Sequence, residues 1–252
     1  MPVEPQPPRW ALPDLHDVPA GQEMVAVGAD LSPGMLLAGY RAGLFAMPDD
    51  RDLGWWSPDP RGVLLPGQVH VTRSLGRVLP RFEVSIDRAF SDVVTACADP
   101  HRPHGWISPE YVDSYLELHA LGWAHSIEVW DAEGALAGGL FGVEVGGLFA
   151  AESKFHVRTD ASKVAVVALA ELLAADGDRR RVIDVQWCTP HLASLGAVQV
   201  PRPVYLRALP AVLACRPVLS GQAEPGEPGE PGEPDGPDGP DGPPSRIRWR
   251  RA

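Results

Sequence analysis

Apolar positions change their spacing along the chain, and each change marks an element. Leu36, Leu37, Tyr40 and Leu44 recur at helical intervals, behind Ser32 as candidate N-cap and Pro33 as first helical residue. Gly43 lies near the stop. Residues 69–72 and 82–86 read as strands. Phe90, Val93, Val94 and Cys97 then form one face of a helix that Asp87 can cap and that reaches Asp99. Ser108-Pro109 opens another helix, ended by Gly122. Three strands follow, 126–130, 135–143 and 147–152, and the turns at 131–134 and 145–147 suit antiparallel hairpins. An apolar helix spans 159–175, a strand 182–187, and a helical turn 191–195 is stopped by Gly196. Residues 204–213 read as a helix that Pro210 should break or kink.

These elements divide the 252 residues unevenly. Residues 1–66 are rich in proline, glycine and tryptophan, hold one good helix, and read as a small N-terminal domain. Residues 67–215 set helices against an antiparallel-rich, mixed sheet, which makes the fold class α+β. Residues 216–252 read as a disordered, acidic, polyproline-biased tail, because Glu-Pro-Gly and then Asp-Gly-Pro repeat with nothing apolar to bury. The tail ends in Arg246-Ile-Arg-Trp-Arg-Arg-Ala, a basic tip best read as a solubilising appendage.

Composition narrows the function. A net charge of -11 opposes general attraction to nucleic acid and leaves only a local basic patch to bind it. The first residues have neither a basic n-region nor an apolar h-region, so no signal peptide is expected. No apolar run approaches the ~20 residues that cross a bilayer. Cys97, Cys188 and Cys215 are odd in number and lack metal-type spacing, which fits buried thiols in a reducing cytosol. Asp184 and Gln186 lie two apart on an expected strand and so project from one face, a pattern that by itself fits a solvated strand face equally well.

Ten stretches, in order over residues 20–207, carry a family likeness. They are Gly28-Ala-Asp-Leu-Ser-Pro, Tyr40-Arg-Ala-Gly-Leu-Phe, Trp55-Trp-Ser-Pro-Asp-Pro-Arg, Gly105-Trp-Ile, His125-Ser-Ile-Glu-Val-Trp and Gly138-Gly-Leu-Phe-Gly-Val. Glu152-Ser-Lys-Phe, Asp160-Ala-Ser-Lys-Val, Asp184-Val-Gln-Trp and His191-Leu-Ala-Ser-Leu-Gly-Ala complete the set. Together they resemble the leucyl/phenylalanyl-tRNA–protein transferase family. The resemblance implies a small N-terminal domain on a GNAT-like C-terminal domain. It implies transfer of Leu or Phe from Leu-tRNA or Phe-tRNA to the α-amine of proteins beginning with Lys or Arg. The product would be read by the Clp protease system. No metal or cofactor is implied, and a cytoplasmic monomer away from any membrane is expected.

The resemblance also assigns residues. Asp184 and Gln186 match the catalytic pair: a positioned carboxylate can take the proton an attacking amine sheds, and an amide carbonyl can hold that amine. A proton shuttle through the terminal ribose hydroxyl is an alternative to Asp184. Tyr40, Trp106 and Tyr115 match aromatics around the tRNA 3′ end, where adenine can stack. Phe149, Glu152, Lys154, Leu169 and Leu173 match the aminoacyl site, with Glu152 a candidate anchor for a cationic α-amine. Arg73, Arg77 and Arg81 match a cluster that grips the acceptor stem, although Gly76 and Pro80 thin it, and Arg179-Arg180-Arg181 is a substitute patch.

Departures from the pattern fall around the site. Met47 stands where tryptophan is common, Leu140, Leu169 and Leu173 replace larger residues, Thr189 and Pro190 stand where Asn and Asp also occur, and Lys154 replaces methionine. Lys154 should either pair with Glu152, two positions away, or send its charge outward along its stem. The competing readings are an acyl-CoA-dependent GNAT-type transferase, a peptidoglycan-type aminoacyl-tRNA ligase and a non-catalytic tRNA-end module. The first would need a pyrophosphate turn, and Arg73-Ser-Leu-Gly-Arg-Val fails its last position.

Overall fold

The structure, a computed structural model, describes residues 1–49, 52–102 and 105–221. Two sheets carry the fold. The smaller joins β1 (Met24–Val27), β2 (Phe45–Asp49) and β3 (Asp52–Trp56), all antiparallel, with β3 central. The larger contains β4 (Arg61–Leu64), β5 (Glu83–Ile86), β6 (Ala124–Trp130), β7 (Leu136–Val145), β8 (Leu148–His156), β9 (Val182–Gln186) and β10 (Val198–Val200). Its order is β10-β4-β9-β8-β7-β6-β5, and only β8 and β9 run parallel. The α+β class read from the pattern is the observed one.

Helices cover both faces of the larger sheet. On one face, α1 (Pro33–Ala42), α3 (Phe90–Cys97), α4 (Pro109–Ala120) and α7 (Arg202–Leu213) share a core with Phe141, Val143 and Leu148. On the other, α2 (Arg73–Val78), α5 (Ala161–Ala174) and α6 (Pro190–Ser194) pack with Ile127, Leu140, Phe149 and Ile183. A parallel neighbour needs a crossover, and α5 supplies it between β8 and β9. Ten of its fourteen residues are buried, which explains why its sequence is apolar nearly all round.

Several local expectations are corrected. Ser32 does precede α1, but its hydroxyl bonds Asp30 (2.5 Å) and makes no cap bond. Gly43 ends α1 as expected, in the left-handed conformation that glycine adopts freely. Residues 69–72 form no strand; Thr72 instead caps α2, accepting from the N–H of Leu75 (3.2 Å). Asp87 does not cap α3. Its carboxylate accepts from the N–H of Ser126 (2.8 Å) and meets His125 Nδ1 (2.6 Å). Helix α7 continues through Pro210, which lies on its exposed side near the C-terminal end. The short strands β1 to β4 and β10 were not legible from periodicity, and β4, N-terminal to residue 66, lies inside the larger sheet.

The largest correction concerns the start of the tail. Leu219 is fully buried, and the backbone N–H groups of Val218, Leu219 and Ser220 converge on the buried Glu144 carboxylate at 2.7–3.2 Å. Residues 216–220 therefore belong to the packed fold. The acidic repeats expected to be disordered lie outside the described residues.

Candidate active site

The parallel ladder between β8 and β9 ends at the Ala150–Asp184 pair, while β8 continues to His156. Beyond that point lies a pocket of about 180 Å³. Glu152 and Lys154 face it from β8, Val185, Gln186 and Trp187 from β9 and its exit, Thr189 from the N-cap of α6 and Leu192 from α6 itself. Leu140, Val166 and Leu169 give it apolar walls. Phe149 and Leu173 are not on the wall but are buried in the same core. Gly142 makes room for the Phe149 ring, since a Cβ there would sit 2.5 Å from it.

Gln186 marks an irregularity in β9. A bulge at the Gly62–Val63 step breaks the register with β4, so simple alternation does not extend from Asp184 to Gln186. Gln186 has φ of 56°, and the N–H of Trp187 turns back to the carbonyl of Val185 (2.6 Å). A three-residue turn around a non-glycine residue of positive φ is strained by about 1–3 kcal/mol, and such strain concentrates at functional sites. The Gln186 Nε2 is buried without a hydrogen-bond partner among the described residues.

Asp184 is held from both ends of the chain. Arg61, from β4, donates through Nε (2.9 Å) and Nη2 (2.6 Å), and Tyr205, from α7, donates its hydroxyl (2.8 Å). The N–H of Gln186 adds a fourth bond at 3.0 Å. The ion pair is 1% exposed on each side. The Arg61 guanidinium lies 5.0 Å from the ring centres of both Phe45 and Tyr205, and its Nη1 donates to the Gly43 carbonyl (3.1 Å). Neither Arg61 nor Tyr205 was singled out from sequence. Arg61 closes the Trp55-Trp-Ser-Pro-Asp-Pro-Arg motif, which was its only signal, and Tyr205 had none.

Glu152 is the other focus. Tyr40, from α1, donates to one carboxylate oxygen (2.8 Å) and Tyr115, from α4, to the other (2.7 Å). The two hydroxyls are 3.4 Å apart. Burial pushes the Glu152 carboxyl up to about 7, with the nearby Asp184 adding to it, against the opposing pull of both tyrosines and Arg61. Burial and the Glu152 charge hold both tyrosines well above the ordinary phenol value, so they remain donors at neutral pH. Trp106 stands edge-on to Tyr111 (5.1 Å), whose hydroxyl is buried without a hydrogen-bond partner among the described residues.

Lys154 does not pair with Glu152. Among the described residues no carboxylate is within 4.0 Å of its ammonium. Burial and the Arg102 charge hold its pKa below the ordinary lysine value. Arg102 donates to the carbonyls of Lys154 (2.6 Å) and Cys97 (2.5 Å), which fixes the cation beside the pocket edge. Thr189 caps α6 while lining the pocket, and Met47 lies half-buried on β2.

The arginines form a separate group. Arg73 and Arg77 are exposed on α2, and Arg81 on the 3-10 turn that Pro80 enters. Arg180 is paired with Asp178, and Arg181 is buried against Asp176. The substitute patch at 179–181 is thus reduced to Arg179 as its one cation without a charged partner among the described residues.

The model of the leucyl/phenylalanyl-tRNA protein transferase family matches residues 63–210, and that of its N-terminal domain matches residues 29–59. A leucyl/phenylalanyl-tRNA–protein transferase of Aromatoleum aromaticum is 51% identical over 71% of this chain and 76% of its own. One from an Anaeromyxobacter species is 50% identical over 83% and 89%, and one from Herpetosiphon aurantiacus 45% over 73% and 96%. The chain belongs to the leucyl/phenylalanyl-tRNA–protein transferase family. The solved structure of L-PGS from Bacillus licheniformis aligns over 63% of this chain and 66% of that one at 7% identity, with a TM-score of 0.38.

Proposed function

We propose that this protein transfers leucine or phenylalanine from Leu-tRNA or Phe-tRNA to the N-terminal α-amine of acceptor proteins beginning with Lys or Arg. The observation that carries the reading is family membership together with the pocket at the parting of β8 and β9. In this reading the apolar wall of Leu140, Val166 and Leu169 takes the donor side chain, backed by Phe149 and Leu173. Glu152, when ionised, holds the donor's cationic α-amine. Trp106 offers a face to the terminal adenine, and Tyr40 and Tyr115 orient Glu152. Gln186 accepts a hydrogen bond from the incoming amine through its side-chain carbonyl. Arg73, Arg77 and Arg81 bind acceptor-stem phosphates. No cofactor is needed, because the ester is already activated. A cytoplasmic monomer whose products pass to the Clp protease system completes the reading.

The amine nitrogen bonds to the ester carbonyl carbon, and the bond from that carbon to the ribose oxygen breaks. Bringing the two groups together supplies much of the rate enhancement. The four donors on Asp184 favour one route for the proton. A carboxylate whose acceptor sites are already taken by four donors has none directed at the amine, and Asp184 acts here by fixing the Gln186 backbone. The proton then leaves the amine through the neighbouring ribose hydroxyl and arrives on the departing ribose oxygen. The acyl-CoA reading loses its remaining support, because Arg73-Ser-Leu-Gly-Arg-Val forms α2 itself rather than a turn before a helix.

The test is transfer of labelled Phe or Leu from tRNA to Arg-, Lys- and Asp-initiated peptides, beside acetyl-CoA. Label on the first two peptides alone is expected; acetyl transfer, or no transfer at all, overturns the proposal. A pH prediction follows from Glu152. Activity should fall as pH drops through about 7, where the carboxylate protonates and releases the amine. Stability should run the other way. The folded form holds this proton more tightly than the unfolded chain, so the contribution is greatest at low pH and declines as pH rises through about 7. Tyr115→Phe removes a bond that favours the ionised form and should move the acid limb of kcat/KM to higher pH. An acid limb unmoved by Tyr115→Phe would detach Glu152 from the profile.

A further inference from the structure

A second concave site lies where the 3-10 turn (Leu79–Arg81) meets the β6–β7 hairpin. It encloses about 440 Å³ and is lined by Arg81, Glu83, Arg88, Trp130 and Asp131, among others. The Arg88 guanidinium lies 4.8 Å above the Trp130 ring. That indole is fixed, since its N–H donates to Ser85 Oγ (2.8 Å), which in turn donates to the buried Glu128 (2.5 Å). A cation over an indole face is attracted to it without using its hydrogen-bond donors. Among the described residues, neither Arg81 nor Arg88 has a carboxylate within 4.0 Å. Asp131 is already engaged: it accepts from the N–H groups of Glu133 and Ala135 and pairs with Arg158 (3.3 Å). Glu83 shares the rim. On a chain of charge -11 this lining is formally neutral, two guanidiniums against two carboxylates, and among the described residues neither guanidinium is in an ion pair.

We infer that this hollow seats one backbone phosphate of the donor tRNA, with Arg88, placed over the Trp130 ring, and Arg81 as its ligands. The inference rests on the proposed use of aminoacyl-tRNA. Planar, bidentate recognition of a phosphate suits a guanidinium held in one orientation, which an exposed lysine would not match. The hollow continues the chain of basic residues that begins with Arg73 and Arg77, so one strand of the acceptor stem can run from α2 to the hairpin. It lies apart from the Glu152 pocket, with which it shares no lining residue. It therefore contributes to holding the tRNA body and not to chemistry at the ester.

Two donors separate this role from catalysis: intact Phe-tRNA, and phenylalanine esterified to a bare terminal adenosine. With Arg88→Ala, kcat/KM for intact Phe-tRNA should fall roughly tenfold, the size of one lost charge-assisted hydrogen bond. The log–log slope of tRNA binding against salt should flatten by about one. Arg88→Lys should recover only part of the loss. Transfer from phenylalanyl-adenosine should be unchanged in both variants. Equal losses with both donors, or no loss with either, would overturn the site. Absence of transfer by the wild-type protein from either donor would instead refute the tRNA reading on which it rests.

Discussion

Arg61→Met will destabilise the protein by about 3–5 kcal/mol and abolish transfer. The figure is that for removing one partner of a buried, hydrogen-bonded ion pair, and both partners here are 1% exposed. Asp184 would keep Tyr205 and the N–H of Gln186 but lose its only counter-ion among the described residues, Arg61. The turn that presents Gln186 would then have no rigid base, so activity should vanish in whatever fraction remains folded. Urea unfolding reads the first effect and single-turnover transfer the second. The double replacement Arg61→Met with Asp184→Leu should regain most of the stability, because a matched apolar pair often equals a buried ion pair, while transfer stays absent. A stable, active Arg61→Met protein would show that the pair neither supports the fold nor positions Gln186.

The second large effect concerns where the C-terminus can be cut. A chain ending at Cys215 will lose at least ~3 kcal/mol of stability, whereas one ending at Gly221 will match the full-length protein. Glu144 is buried and takes its backbone donors from Val218, Leu219 and Ser220, and bonds to a charged group contribute about 1.5–3 kcal/mol each. The Ser220 hydroxyl also donates to Glu144 (3.0 Å) and lies 3.3 Å from His125 Nε2. His125 is in turn 2.6 Å from Asp87. Cutting before residue 216 strips this cluster of its cover. Thermal melts of the two truncated proteins decide the matter; equal melting temperatures would mean that residues 216–221 add nothing.

How far the sequence disclosed this molecule depended on whether a signal was local. Gly43, Ser108-Pro109 and the stripe of Phe90, Val93, Val94 and Cys97 are local, and the corresponding helices are where spacing put them. The three short strands of the small sheet and β4 were invisible because four or five residues cannot display a period. Asp87 and Ser32 look like caps by residue type, but their oxygens serve Ser126 and Asp30, and only tertiary placement decides that. In the candidate site, Glu152, Tyr40 and Tyr115 came from family likeness and are found together around one carboxylate. Arg61 escaped because its partner lies 123 positions along the chain, and Tyr205 because no local period joins a residue of α7 to a strand 21 positions before it. Val218 and Leu219 escaped because two apolar residues beside low-complexity repeats resemble the repeats more than a core.

The insertion of β4 between β9 and β10 has a consequence in time. Arg61 and Asp184 are separated by 123 positions. At about 5–20 residues per second, a ribosome needs roughly 6–25 s to travel between them. Until then the first-made strand of the larger sheet waits with both edges unpaired and its arginine without a counter-ion. The candidate site is thus among the last parts of the nascent chain to be assembled. Synthesis interrupted before β9 leaves no partly active enzyme, only a fragment with open strand edges of the kind that chaperones and proteases take up.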